Sequence, residues 1–200
     1  MRLGFIAFRG LSMNEERFEL PARDAMTPDQ RRMADAILAG PRGSLRGPFP
    51  VLIHSPKMGD IAQTLGAYVR FESVLKPHLR ELAILTVARF WTAQFEWYAH
   101  RELAMQAGLA PAIADAIAAG VRPAKLDVEE AAIYDFASEL LATKGVSDAT
   151  FATVKNMFGQ QAVVDLIATM GYYCIVAMTL NVNRTALPPG AVPLAPLAAI

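Results

Sequence analysis

Thiol, imidazole and indole groups are all scarce in this chain, whose 200 residues include one cysteine, three histidines and two tryptophans. A single thiol, Cys174, cannot build a disulfide framework, a Cys-x-x-Cys redox pair or a thiolate zinc site, which removes the enzyme classes that depend on them. Neither sign of charge is in excess: 19 Lys+Arg balance 19 Asp+Glu, so no basic face large enough for a phosphate backbone is expected. Nucleic acid and membrane are therefore not expected partners. Runs of alternating β-branched residues bounded by Asn-Gly or Asp-Gly are missing too, so the chain reads as all α. The first twenty residues contain no apolar leader, because Arg2 and Arg9 interrupt them and Glu15, Glu16 and Arg17 follow. A cytoplasmic location is the expectation.

What the chain has in quantity is apolar side chains, 54% of residues against 19% charged. That is more than one domain of this length needs to bury, and it points to a homo-oligomer. Helix punctuation divides the chain. Thr27-Pro28-Asp29-Gln30 opens a helix that Gly40-Pro41 stops, and Arg42 to Pro50 reads as loop. Ser55-Pro56 opens a second helix, with Met58, Ile61, Leu65 and Tyr68 along one face, and Pro77 opens a third. Gly108 and Pro111 start a short Ala-rich helix ending at Gly120; Asp127 to Glu130 resembles a capping box for a helix that Gly145 terminates. Ser147 caps a short helix to about Met157, and after Gly159 a long apolar helix runs to about Val182, as a core or interface element. The expected organisation is an N-terminal arm (1–26), one all-α domain (27–184) and an extended, proline-rich apolar tail (185–200) lying on a surface.

Candidate chemistry is confined by the histidines at 54, 78 and 100. Glu96 and His100, four apart, share a helix face and would hydrogen-bond, either as an ordinary surface pair or as a functional one. A metal would need a third ligand such as His54, which no spacing supplies, so neither metal nor cofactor is expected. Trp91, Phe95 and Tyr98 fall on one face if the helix is continuous there; such stripes are usually core.

A larger pattern joins these residues: Arg80-Glu81-Leu82-Ala83-Ile84-Leu85, then Phe95-Glu96-Trp97-Tyr98-Ala99-His100, then Ala107-Gly108-Leu109. It resembles the carboxymuconolactone decarboxylase family of the alkyl hydroperoxidase D-like superfamily. Ala39 to Gly43, Gly47-Pro48-Phe49, His54-Ser55-Pro56 and Pro188 to Leu194 extend the resemblance over most of the chain, from about Thr27 to Leu197. The resemblance implies an all-α helical bundle centred on a two-helix hairpin from Pro77 to Gly108. It also implies a trimer or hexamer, with a dimer as the other possibility.

In the peroxidase branch of that superfamily a glutamate, a Cys-x-x-Cys pair and a histidine relay protons to a reactive thiolate. Aligned on Glu81 and His100, the cysteine positions fall on Ala93 and Glu96, so thiol peroxidase activity is not expected. The remaining set resembles the decarboxylase side: a cofactor-free lyase on a small cyclic carboxylic acid, with Glu81, Glu96 and His100 handling protons. His54, Trp91, Phe95, Trp97 and Arg101 are the candidate substrate-binding residues, and Arg80, Arg89 and Arg101 the nearby cations. The alternatives are a peroxidase-type oxidoreductase and a non-catalytic small-ligand-binding or assembly protein. On one straight helix Glu81 and Glu96 would stand ~22 Å apart, so the helix must break, with Thr92 the local N-cap candidate.

Overall fold

The computed structural model describes residues 15–197, and among these every regular element is helical. After a 3-10 turn at Arg23–Ala25 come α1 (Pro28–Ala39), α2 (Phe49–Leu52), α3 (Pro56–Phe71), α4 (Pro77–Phe90), α5 (Gln94–Gln106), α6 (Pro111–Ala118), α7 (Val128–Thr143) and α8 (Asp148–Asn183). The punctuation works as its chemistry requires. The Gln30 N–H donates to Thr27 Oγ1 at 3.3 Å while Gln30 Oε1 accepts from the Thr27 N–H at 2.8 Å, and Asp127 and Glu130 do the same for α7. Two ends differ from expectation. Part of the expected Arg42–Pro50 loop winds into α2, and α7 is terminated by Lys144 in the left-handed region (φ 67°) rather than by Gly145.

Helix α4 is the axis of the fold. Ten of its residues, from Leu79 through Arg89, are buried, because α5, α6, α7 and α8 all pack on it. A second, smaller cluster under α1, α2 and α3 is built from Met26, Met33, Ile37, Phe49, Leu52 and Ile53. Here α3 faces the other way from its large side chains. Met58, Ile61 and Leu65 are exposed, while Gly59, Ala62, Gly66 and Val69 face inward. The reason is close approach: a Cβ on Gly66 would lie 2.2 Å from the Tyr172 hydroxyl and 2.5 Å from Arg42 Nη2. The small face lets α3 sit against α8 and the loop before α2.

Helix α8 breaks at Gly159 (φ 85°, ψ 170°), which no residue with a Cβ adopts without strain, so it is two helices end to end as the sequence pattern expects. Its apolar second half is long enough by composition to cross a membrane, yet it contains Asp165, which is buried and accepts from the Tyr68 hydroxyl (3.1 Å) and the Val74 N–H (2.9 Å). One flank remains uncovered: Val164, Ile167, Ile175, Met178 and Val182 are exposed in a three-four spacing.

The tail beyond Arg184 is extended and lies on the bundle, as its prolines require. Gln94 pairs with both backbone groups of Leu194, and Arg89 Nη1 donates to the Ala195 carbonyl at 2.8 Å. At the other end of the chain, Asn183 Oδ1 accepts the N–H groups of Arg17 and Phe18. The rest of the expected N-terminal arm, residues 1–14, and the last three tail residues lie outside the described residues.

Candidate active site

The hairpin of α4 and α5 turns through three residues, Trp91, Thr92 and Ala93. The Ala93 N–H donates to the Ala88 carbonyl (2.8 Å) and the Thr92 N–H to that of Arg89 (3.0 Å), the paired bonds of a Schellman ending. Thr92 takes the left-handed position (φ 47°) that such endings usually give to glycine. It therefore closes α4 rather than capping α5, whose N-cap is Ala93. The expected break is present, displaced by one residue.

This turn brings Glu81 and His100 together across the two helices. His100 Nδ1 lies 2.7 Å from Glu81 Oε2, both side chains are buried, and the imidazole ring stands edge-on to Tyr173 with centroids 4.7 Å apart. Glu81 Oε1 has Arg80 Nε at 3.9 Å. The expected Glu96–His100 pair is not formed, because Glu81 reaches the imidazole from the neighbouring helix. With Nδ1 committed to a carboxylate, Nε2 is the nitrogen left for proton exchange.

Glu96, in the first turn of α5, is 1% exposed, and among the described residues neither carboxyl oxygen has a hydrogen-bond partner. Burial pushes its pKa well above the ordinary carboxylate value, so it keeps its proton where a solvated glutamate has lost it. Glu96 and His100 both line a cavity of about 240 Å³, whose walls include Phe95 and Tyr98 of α5 and Tyr172 and Tyr173 of α8. The cations facing it are Arg42 and Arg46, from the loop between α1 and α2, and Arg70, at the end of α3. Sequence reasoning missed all three, since they lie 26 or more residues from Glu96: the loop brings in Arg42 and Arg46 and the end of α3 brings in Arg70, and the sole local signal, for the first two, is the density of arginine and glycine in 42–47.

The other candidates lie elsewhere. His54 is exposed, with Nε2 3.0 Å from the Glu19 carbonyl oxygen and its ring against Phe18. Trp91 packs edge-on to Phe90 while its carbonyl accepts from Asn181, so Phe95 and Tyr98 form the aromatic wall without it. Trp97 and Arg101 line a separate, larger groove of about 910 Å³ between α5, α6 and the tail, where Arg101 pairs with Asp115 at 3.0 Å. Arg80 is held beside Glu81 and Arg89 beneath the tail, neither of them on the cavity. That larger groove has no buried titratable group in its walls, whereas Glu96 and His100, both buried, line the smaller cavity. His78, in the first turn of α4, is half-buried. Among the described residues no three His, Cys, Asp or Glu side chains converge to hold a metal. Cys174 is half-buried, and desolvation pushes its thiol pKa up, with Glu96 acting in the same direction.

No protein-family model and no curated protein sequence matches the chain. Solved structures do. An alkylhydroperoxidase AhpD core, a peroxidase-related protein from Ralstonia eutropha JMP134, superposes with a TM-score of 0.70 at 17% identity over 89% of this chain and 97% of its own. A peroxidase-related protein from Silicibacter sp. TM1040 gives 0.66 at 16% identity over 87% and 93%, and a protein of unknown function from Agrobacterium tumefaciens gives 0.60 at 16% identity over 72% and 99%. The chain has the alkyl hydroperoxidase D-like fold. At such identities the likeness concerns the fold, and the chemistry has to be argued from the cavity.

Proposed function

We propose that this protein is a cofactor-free lyase of the carboxymuconolactone decarboxylase type, acting by proton transfer on a small cyclic carboxylic acid. The observation that carries this reading is Glu96: a buried carboxyl group with no protein partner, in the wall of a cavity it shares with a carboxylate-oriented imidazole and three arginines. A buried acid without a partner is costly to keep, and a proton donor for substrate is a reason to keep it.

Decarboxylation breaks the bond between the carboxyl carbon and the ring. Carbon dioxide leaves, the bonding pair passes into the substrate's own unsaturated system, and a proton is delivered to carbon. Glu96, neutral over a widened pH range, is the proton donor. His100, with Nδ1 on Glu81, exchanges the proton at Nε2 and shares its charge with that carboxylate. The arginines supply the positive potential that draws in an anionic substrate. A thiol peroxidase has less support, since Cys174 is a lone thiol whose burial disfavours the thiolate. We further propose that copies associate through the uncovered flank of α8.

The test is carbon dioxide release from a panel of carboxylated lactones, beside consumption of an organic hydroperoxide with a thiol reductant. Turnover of a lactone acid that falls ~10²–10⁴-fold in His100→Asn and in Glu96→Gln supports the lyase. Hydroperoxide turnover would replace it by an oxidoreductase, and inactivity in both assays by a binding protein. Wild-type rates in both variants on a verified substrate would place the chemistry elsewhere.

A further inference from the structure

Arg42 occupies an unusual position for a loop arginine. Its Nε and Nη2 are withdrawn from solvent and, among the described residues, meet no carboxylate or carbonyl acceptor, although the side chain lines the cavity. These two nitrogens form the side edge of the guanidinium, whose parallel N–H bonds match the two oxygens of a carboxylate. Among the described residues no carboxylate pairs with Arg42, Arg46 or Arg70. The Phe49 ring, 5.3 Å from Arg42 Cζ, supports the guanidinium. Tyr172, which also lines the cavity, sets its buried hydroxyl beside the Arg42 guanidinium: burial pushes the phenol pKa up and Arg42 opposes that shift, and the hydroxyl and Nη2 both lie within 2.5 Å of where a Cβ on Gly66 would stand. The Arg42 guanidinium and the Tyr172 hydroxyl thus sit side by side in a cavity that Glu96 and His100 also line, with no carboxylate among the described residues to answer them.

We propose that Arg42, through its Nε–Nη2 edge and assisted by the Tyr172 hydroxyl, is the carboxylate-binding subsite of this cavity. The proposal rests on the lyase reading for its choice of ligand class, and extends it by naming the residue that receives the substrate's anionic group. Gly66 is part of the device, since its missing side chain is what lets the guanidinium and the phenol meet over α3. Arg46 and Arg70, which face the cavity without buried orphan nitrogens, add potential rather than a directed clamp.

The experiment is calorimetric titration of the full-length protein with benzoate, and with benzamide as the neutral isostere. Saturable benzoate binding below about 10 mM and much weaker benzamide binding are expected. Arg42→Gln should weaken benzoate about ten- to hundredfold, and Tyr172→Phe about three- to tenfold. Arg46→Gln should change it less than about threefold. Arg42→Lys keeps the charge and the fold but removes the fork, and should fall between wild type and Arg42→Gln. Benzoate affinity unchanged in Arg42→Lys and Arg42→Gln, benzamide binding as tight as benzoate, or no saturable benzoate binding would each overturn the clamp. Loss of charge-selective binding in Arg42→Gln, with no lactone acid decarboxylated by wild type, would leave the clamp standing and remove the lyase. Decarboxylation undiminished in Arg42→Gln would do the reverse.

Discussion

Replacing Glu96 by glutamine should change how the stability of the protein depends on pH, and the sign follows from burial. In the unfolded chain this carboxyl titrates near its usual value of 4.5; in the folded protein desolvation raises it well above that. Below pH 4.5 both states hold the proton, and burial of Glu96 carries no ionisation penalty. Between 4.5 and the folded value only the unfolded chain gives the proton up, so unfolding becomes easier by about 1.4 kcal/mol for each pH unit. Above the folded value the penalty stops growing. In Glu96→Gln this slope is absent, and whatever is common to the two proteins cancels in the difference. At the roughly 2–3 kcal/mol per molar urea expected for a chain of this size, the difference in midpoint between variant and wild type should open by roughly 0.5–0.7 M per pH unit. Urea unfolding followed by circular dichroism at matched protein concentration, from about pH 4 to pH 8, measures it. Midpoints that run parallel over that range would mean that Glu96 is hydrated or paired in solution, and its role as a stored acid would fall with its raised pKa.

Asp165→Ala should destabilise the fold by roughly 1.5–3 kcal/mol in the same urea assay, because the Val74 N–H and the Tyr68 hydroxyl lose their acceptor; a loss below about 0.5 kcal/mol would show that water replaces it. Cys174→Ser should leave turnover within about twofold of wild type, whereas selective loss of activity in a folded variant would restore a thiol mechanism. The exposed flank of α8 predicts an oligomer by sedimentation at micromolar concentration, dissociated by Ile175→Glu; a wild-type monomer would refute the explanation of the apolar composition.

The helical architecture was legible because its boundaries are written in local chemistry. Thr27 with Gln30 and Asp127 with Glu130 cap as their types demand, Gly159 breaks α8, and four prolines keep the tail extended. Orientation was less legible. Periodicity locates the Met58, Ile61 and Leu65 face of α3 but not the direction in which it points, and the tight approach of Tyr172 and Arg42 gave the inside to glycine and alanine. Glu81, Glu96 and His100 could be singled out together as candidates, yet their pairing could not, because a contact across a hairpin competes with one along a helix. His100 took Glu81, nineteen positions away, over Glu96, four away. Arg42 was out of reach for a related reason: a loop residue's place depends on where the chain lands, and nothing in 42–47 encodes a landing site on α5.

The three-residue turn between α4 and α5 has a consequence for how this site could have changed over time. An α-helix rotates by about 100° per residue, so one residue inserted at Trp91–Ala93 and wound into the start of α5 would swing its side chains by more than a quarter turn relative to the connector. Glu96 and His100 would leave the cavity together, and Glu81 would face a different residue of α5. Side chains around the cavity are open to exchange one at a time, whereas the length of this connector is not. Divergence in such a hairpin is therefore expected to proceed by substitution at fixed spacing, with insertions accumulating in the loops around α6 and before α7, which set no angle at the site.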